Sequence, residues 1–351
     1  MTKTIITVLL LLMTFSKALS QQAYIKPKAN INRDGIEAQE ERKEFTNNEI
    51  KAGKEDPKGK KQKKRKTGKK TSKESLPTFN DVSYGPDKRN VFDFWQAKSD
   101  KPTPVLVFFH GGGFVKGNKS YIWRSLLEDC LASGISVASA NYRFVTTDPF
   151  PAAMHDGAMA IQFIRTKAKE WNIDPERFAA AGNSAGGNMS VWLATHDDLA
   201  DKNSKDPFLQ QSSRLLCIIG QGAQTTNDPE VILKNIGGSH EVHSSLLAFY
   251  GIKSMNEVKN TKTQELVKEA SSLCHVTKDD PPLLLYYSSE LDEKSLPLPE
   301  TTKQGHVIHH PMFGKLIKDK YDALGLDCQY GVVGKNMPRM ITFLKKHFGI
   351  N

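Results

Sequence analysis

The chain has 351 residues, of which 38% are hydrophobic, with four cysteines and a formal net charge of +10. This length is sufficient for one large domain or two small ones, and four cysteines are too few for a disulfide-based scaffold. Seventeen phenylalanines exclude wholesale disorder, and the single long apolar stretch excludes a protein with several membrane spans. The charge suggests nucleic-acid binding, yet residues 78–351 contain 30 basic and 30 acidic residues, so the excess lies before them.

Residues 1–20 have the pattern of a secretory signal peptide. Lys3 precedes an apolar core from Ile5 to Phe15, and Ala18-Leu19-Ser20 supplies small residues where a signal peptidase cleaves. The alternative is an uncleaved N-terminal anchor. Both interpretations predict that the rest of the protein leaves the cytoplasm, so we expect a secreted or periplasmic protein.

Residues 21–77 are polar and Lys-rich, which predicts a disordered linker. Nine of the 13 residues from Lys58 to Lys70 are basic, and such a run repels itself and stays extended. The segment is either a solvated linker or an electrostatic contact with a polyanion such as an acidic glycan or lipid headgroups. The export signal argues against a specific nucleic-acid partner.

Residues 78–351 show alternating strand and helix patterns. Short apolar runs predict strands at Val82–Tyr84, Val91–Trp95, Pro104–Phe109, Ile135–Ala140, Arg177–Gly182, Leu215–Gly220, Leu283–Tyr287 and Cys328–Val333. Helical spacing of apolar residues predicts helices over 121–133, 154–171, 185–195, 313–324 and 337–348. This alternation predicts an α/β fold with a mostly parallel central sheet and helices on both faces. Residues 228–272 add helical pieces without a clear strand and are interpreted as a small lid insertion.

A Gly-x-Ser-x-Gly motif centred on Ser184 lies between a predicted strand and a predicted helix. The sharp turn that this motif forms raises the serine hydroxyl to the start of the helix, where the helix dipole favours a developing anion. Ser184 is therefore the predicted nucleophile. Taken alone, the motif also fits a turn that packs a helix on a strand.

A glycine-rich segment, His110-Gly111-Gly112-Gly113-Phe114, directly follows the apolar strand that ends at Phe109. Such a loop exposes backbone N–H groups, which stabilise the oxyanion of an acyl-transfer intermediate. We predict an oxyanion hole formed by Gly112, Gly113 and Ala185, the residue after the nucleophile. A phosphate-binding loop would require a following Lys-Ser/Thr or a longer glycine pattern, and neither is present.

With these motifs in this order, residues 80–350 resemble the hormone-sensitive-lipase-like carboxylesterase branch of the α/β-hydrolases. Further matching motifs are Asn141-Tyr142-Arg143, Phe150-Pro151-Ala152-Ala153 with Asp156, and Asp279-Asp280-Pro281-Pro282. The resemblance implies an α/β-hydrolase fold, a Ser–acid–His triad in that chain order, and hydrolysis of carboxylic esters. It implies no cofactor and no metal.

The acid and the histidine of the implied triad depart from the family pattern. The acid follows the strand after Pro281-Pro282; Asp292 is the preferred residue, Glu290 occupies that position in another alignment, and Asp228 is a further alternative. The loop after the last predicted strand contains no histidine. His347 comes too late in the chain for that role, and His196 lies about 18 Å along a helix from Ser184.

A cluster of three histidines within residues 306–310 lies before a predicted helix. His309 and His310 are the candidates for the catalytic base, while metal binding or loop packing by the three histidines of this segment are alternatives. Two functions follow. One is a secreted serine esterase acting on a small-molecule or carbohydrate ester; the other is a catalytically silent ligand-binding protein that lacks the triad histidine. The Gly-x-Ser-x-Gly motif around Ser184 (the nucleophile elbow) and the glycine-rich segment 110–114 (the oxyanion loop) together favour the esterase. The four cysteines allow three disulfide pairings or buried thiols.

Overall fold

The computed structural model describes residues 76–239, 243–332, 334–335 and 337–351. The predicted signal peptide, all but two residues of the predicted basic linker, and residues 240–242 of the predicted lid lie outside this range. All the described residues fall within one structural unit, residues 75–351.

Eight strands of the described chain form one sheet in the order β1-β2-β4-β3-β5-β6-β7-β8. Strand β2 runs antiparallel to β1 and β4, while β3 to β8 pair in parallel. The predicted mostly parallel α/β sheet is confirmed. The strands are β1 Phe79–Ser83, β2 Val91–Trp95, β3 Thr103–Phe109, β4 Ser136–Ala140, β5 Ile173–Asn183, β6 Cys217–Gln221, β7 Leu283–Tyr287 and β8 Cys328–Val332.

The apolar runs of the central strands serve two cores, one on each face of the sheet. In β3, Val105, Val107 and Phe109 pack into one core, while Leu106 and Phe108 pack into the other. Successive side chains of a strand point to opposite faces, so a strand covered on both sides is apolar at most positions and reads as a run rather than an alternation. This is the physical reason why a continuous apolar run predicts these strands.

Nine α-helices connect or flank the described strands. They are α1 Arg124–Ala132, α2 Ala152–Thr166, α3 Ala185–Thr195, α4 Pro229–Asn235, α5 Ser244–Tyr250, α6 Thr261–Ala270, α7 Gln304–Val307, α8 Met312–Leu324 and α9 Met340–Phe348. Every residue of α3 is buried, which explains why its sequence has no polar stripe. Helices α4, α5 and α6 lie in the segment interpreted as a lid.

Two predicted helices are shorter than their apolar patterns. The helix predicted over 154–171 ends at Thr166, and a turn closed by the Trp171 amide on the Lys167 carbonyl carries the chain to a positive φ of 46° at Asn172. The closing helix begins at Met340 rather than 337, because Pro338 restricts the residue before it to extended backbone.

The four cysteines are free thiols, with Cys130, Cys217 and Cys328 buried and Cys274 exposed. Burial raises the pKa of the Cys130 and Cys328 thiols to about 12. Within the described residues, no helix has the length and apolar character needed to cross a membrane.

Candidate active site

Ser184 occupies the sharp turn between β5 and α3. Its backbone has φ 48° and ψ −117°, a strained conformation for a residue with a side chain. The Ser184 amide donates to the Gln221 carbonyl at 2.7 Å, which ties the turn to the neighbouring strand β6. The predicted strand–serine–helix arrangement is present, with Ser184 at the carboxyl edge of the parallel strands.

The glycines on either side of Ser184 are required by close backbone contacts. A Cβ atom at Gly186 would lie 2.0 Å from the Phe109 carbonyl oxygen, and one at Gly182 would lie 2.4 Å from the Gly186 carbonyl carbon. Neither contact can be relieved by moving a flexible side chain. The motif therefore needs glycine at both positions for β5, β3 and α3 to approach this closely.

The loop after β3 lies beside this turn. The Gly111 amide donates to the Asn183 side-chain oxygen at 3.0 Å, which joins the loop to the residue before Ser184. Gly112 and Gly113 have φ of 121° and 61°, conformations that glycine adopts readily. Gly113, Ser184 and Ala185 line one pocket. The loop and the start of α3 therefore face the same space, as an oxyanion hole requires.

His110, the first residue of the oxyanion loop, is fully buried and anchors the loop through its contacts. Its ring stacks on Tyr142 at 4.3 Å, and Tyr142 donates its hydroxyl to the His110 carbonyl at 2.6 Å. Burial lowers the pKa of His110 to about 4, so its ring is neutral at pH 7. Its Nδ1–H donates to the Gly111 carbonyl at 2.8 Å, which further fixes the loop.

His309 contacts the Ser184 hydroxyl. Its Nε2 lies 2.9 Å from Ser184 Oγ, and its Nδ1 lies 2.9 Å from the Gly305 carbonyl oxygen. A carbonyl oxygen can only accept a hydrogen bond, so Nδ1 carries the proton and Nε2 is free to accept from the serine. Burial and the nearby His243 lower the pKa of His309, while the Gly305 hydrogen bond opposes that shift.

His310, the next residue, points elsewhere. It is buried, and its Nδ1 accepts a hydrogen bond from the Met312 amide at 3.2 Å at the start of α8. Its ring lies 5.8 Å from that of His306. The structure therefore separates the two predicted base candidates: His309 faces Ser184, and His310 caps a helix.

The three predicted acid candidates have partners other than His309. Asp292 accepts from the Lys294 amide at 3.1 Å, at the start of a single 3₁₀ turn. Glu290 pairs with Lys335 at 3.3 Å, and Asp228 accepts from the Glu230 amide at the start of α4. The position that a triad acid would occupy, next to His309 Nδ1, is taken by the Gly305 carbonyl.

The pocket in front of Ser184 is mainly apolar, and residues of α4, α5 and α7 line it. Polar side chains also line it, and two of them pair with each other: His243 Nδ1 lies 2.6 Å from Ser245 Oγ. The apolar wall comprises Phe114, Ile232, Leu246, Phe249, Val307 and Phe313.

The family model BD-FAE matches residues 93–294, which is more than half of the chain. The chain is a member of the BD-FAE family. The matched range includes Ser184 and the oxyanion loop, and it ends before His309. The resemblance to α/β-hydrolase carboxylesterases is thereby confirmed.

Two curated relatives of this BD-FAE family member are ester hydrolases by name. Esterase LipC of Mycobacterium tuberculosis is 28% identical over 213 residues, which cover 59% of this chain and 50% of LipC. Carboxylic ester hydrolase LipN of the same organism is 38% identical over 111 residues, covering 31% of this chain and 30% of LipN. The chain thus spans half or less of the length of these relatives.

Solved structures share the fold of this BD-FAE family member. A truncated carbohydrate esterase from gut microbiota has a TM-score of 0.61, with 18% identity over 79% of this chain and 99% of that one. The acetyl ester-xyloside bifunctional hydrolase from Caldicellulosiruptor lactoaceticus has a TM-score of 0.53 and 21% identity, covering 80% and 90%. At this identity the likeness shows the α/β-hydrolase fold.

Two glycines of this BD-FAE family site had no role in the sequence patterns. Gly305 supplies the carbonyl that fixes His309 Nδ1. Gly222, with φ 58°, leaves room for the histidine ring, because a Cβ there would lie 3.1 Å from His309 Cδ2. Gly222 follows a buried strand closely, a signal that is too common to mark a site. Nothing in the sequence around Gly305 indicates a catalytic contact.

Proposed function

We propose that the protein is a serine carboxylesterase in which Ser184 is the nucleophile and His309 the general base. The proposal rests on the 2.9 Å separation between Ser184 Oγ and His309 Nε2. This is within the distance over which a base removes a proton from a nucleophile. The strained elbow of Ser184 and the glycine loop beside it support the same assignment.

In the proposed mechanism, Ser184 Oγ attacks the ester carbonyl carbon while its proton passes to His309 Nε2. The carbonyl oxygen becomes an oxyanion that accepts hydrogen bonds from the backbone amides of Gly112, Gly113 and Ala185. When the intermediate collapses, His309 returns the proton to the leaving alcohol. Water then attacks the acyl-enzyme, with His309 again acting as the base.

We propose that the Gly305 carbonyl does the orienting work of a triad acid. It holds the His309 ring in the tautomer whose Nε2 accepts the serine proton. A neutral carbonyl stabilises the imidazolium formed during attack less than a carboxylate does. Loss of the acid from a serine triad lowers the rate by about 10⁴, so we expect a slower enzyme than one with a complete triad.

The substrate that we propose is a small ester, with a carbohydrate ester as the favoured class. The apolar wall of the pocket suits the acyl group. The fold likeness to a carbohydrate esterase is consistent with a sugar as the alcohol group. The signal-peptide pattern of residues 1–20 supports export of the protein, where such esters are accessible.

The test is hydrolysis of p-nitrophenyl acetate by the full chain. Ser184→Ala and His309→Gln should each lower kcat by about 10², the loss that remains when the acid's contribution is already absent, because each removes a reacting group. His310→Gln is the matched control, since it changes the neighbouring imidazole, and it should keep activity within about threefold of wild type.

A fluorophosphonate probe gives a second measurement, because it labels only activated serines. Wild type should be labelled at Ser184, and His309→Gln should be labelled far more slowly. Equal turnover by wild type and Ser184→Ala, together with no labelling of wild type, would overturn the esterase and favour the silent ligand-binding protein.

A further inference from the structure

A second cluster of chemically active side chains lies at the opposite end of the nucleophile helix. His196 follows the last residue of α3, Glu269 lies near the end of α6, and His275 follows the 3₁₀ turn after α6. Each residue has one ligand atom within 4.8 Å of those of the others. His196 lies 12 residues beyond Ser184, about 18 Å along the helix, so the cluster is separate from the esterase site.

The separations between the ligand atoms of the cluster are close to those found between ligands of a bound metal ion. His196 Nε2 lies 2.8 Å from Glu269 Oε1, and His275 Nε2 lies 4.0 Å from Glu269 Oε2. Ligand atoms about 2.1 Å from a tetrahedral Zn²⁺ are about 3.4 Å apart. The observed separations bracket that value, so small side-chain rotations would bring the three ligands onto one ion.

A hydrogen bond at Nδ1 orients the His196 ring so that Nε2 is the nitrogen available to a metal. Its Nδ1 lies 3.0 Å from the Asp197 carbonyl oxygen, which accepts a hydrogen bond and leaves Nε2 directed at Glu269. Metal-binding histidines commonly donate their other N–H to a carbonyl in this way. The Trp192 ring lies 4.2 Å from the His196 ring, and Trp192 Nε1 donates to the Glu269 carbonyl at 2.8 Å.

The cluster is ordered by its surroundings and remains open to solvent. The side chains of His196, His275 and Glu269 are 16%, 21% and 47% exposed. An ion could therefore enter without opening the core, and a water molecule could complete its coordination. His155, which interacts electrostatically with His196, has its pKa lowered to about 4 by burial and by His196, so it adds no positive charge at neutral pH.

We propose that His196, Glu269 and His275 form a structural site for a divalent first-row metal, with Zn²⁺ as the preferred ion. Two imidazoles and one carboxylate are ligands that Zn²⁺ accepts, with water as the fourth. Binding replaces the proton of His196 Nε2, which goes to solvent. At His275 the proton moves from Nε2 to Nδ1 through solvent, so that the Nε2–H hydrogen bond to the Glu269 carbonyl is lost and Nε2 binds the metal. The ion would link the end of α3 to α6.

The experiment compares thermal unfolding of the full chain with and without ZnCl₂. Wild type should unfold at a higher temperature with Zn²⁺ and show no such change with Mg²⁺, which prefers oxygen ligands. His275→Gln should reduce the zinc-dependent shift and weaken zinc affinity by at least about tenfold. His306→Gln, an exposed imidazole outside the cluster, and Cys274→Ser, the adjacent thiol, are the controls and should keep the full shift.

The shift is the difference between unfolding temperatures with and without Zn²⁺ in the same variant, because each substitution also changes the stability of the metal-free protein. A second measurement uses Co²⁺, whose visible absorption becomes strong in a four-coordinate site; wild type should show it, and Zn²⁺ should displace it. The same zinc-dependent shift in His275→Gln as in wild type, or a wild type without the Co²⁺ absorption, would overturn the proposal. Neither readout depends on esterase activity.

Discussion

At the scale of single residues, the feature that separates His309 from His310 is what each ring nitrogen contacts. His309 has a carbonyl oxygen at Nδ1 and the nucleophile at Nε2, so both nitrogens have partners that suit a general base. His310 uses its Nδ1 at the start of α8 and is buried. Two adjacent residues of the same type thus have different surroundings, because consecutive side chains project in different directions.

The pH dependence of kcat/KM should report the pKa of His309. Burial and His243 lower that pKa below its ordinary value of 6.5. The base must be neutral, so activity is present above the pKa of His309 and is lost as the pH falls through it. We expect an acid limb with an apparent pKa below 6.5, measured with p-nitrophenyl acetate under subsaturating conditions.

A variant tests the cause of that shift. His243→Gln removes the smaller of the two lowering causes, the electrostatic interaction with the His243 imidazole, so the acid limb should move to higher pH while burial still holds it below 6.5. His347→Gln, in the closing helix α9, is the control and should leave the limb where it is. An acid limb of the wild type at or above 6.5 would contradict the assignment of His309 as a buried base.

At the scale of elements, a buried ion pair joins the loop after β4 to α2. Asp156 is fully buried and accepts from the Arg143 backbone amide at 2.8 Å and from its Nη2 at 2.7 Å. The pair raises the pKa of Arg143. Tyr142, next to Arg143 in the chain, packs on His110. The Arg143–Asp156 ion pair therefore fixes the segment against which the oxyanion loop packs.

Asp156→Asn should destabilise the protein by about 2 kcal/mol, because it removes the buried carboxylate and leaves the partly buried Arg143 with Asp148, at 3.3 Å, as its remaining charged partner. The measurement is the free energy of unfolding in urea. The control is Asp319→Asn, which breaks the exposed pair with Lys315 along α8 and should cost less than about 1 kcal/mol. Equal losses in the two variants would show that burial of the first pair contributes nothing.

At the scale of the whole molecule, the positive charge and the hydrolase fold occupy different parts of the chain. Residues 78–351 have equal numbers of basic and acidic residues, while Lys58–Lys70 concentrates nine basic residues in 13. We propose that this basic segment contacts a polyanion and that the folded part acts on the ester. The segment itself lies outside the described residues, so the proposal rests on charge alone.

Replacing the nine basic residues of Lys58–Lys70 with serine should abolish retention of the full chain on immobilised heparin. Wild type should bind and should elute with increasing salt, because the interaction is electrostatic. Turnover of a soluble, uncharged ester should be equal in the two proteins, since the substitutions lie outside residues 78–351. Equal retention of both proteins would assign the binding to another surface, and the tether proposal would fail.

The strands, the nucleophile elbow and the oxyanion loop could be predicted from the sequence because their signals are local. A strand buried on both faces reads as an apolar run, as in residues 104–109 of β3. The glycines around Ser184 are needed within a few residues, where the backbones of Gly186 and Phe109 meet. The ends of the elements could not be predicted to the residue, because turns such as that at Trp171 continue an apolar spacing without continuing the helix.

The partners of Ser184, the proposed nucleophile, were decided only by the tertiary structure. Ser184 and His309 are 125 residues apart in the chain, and the sequence offers two adjacent histidines for the same role. The orienting group at Nδ1 is a backbone carbonyl, at Gly305, which no side-chain pattern can reveal. A sequence records the residues that a local turn requires, whereas the group that meets a side chain across the fold depends on how distant elements pack.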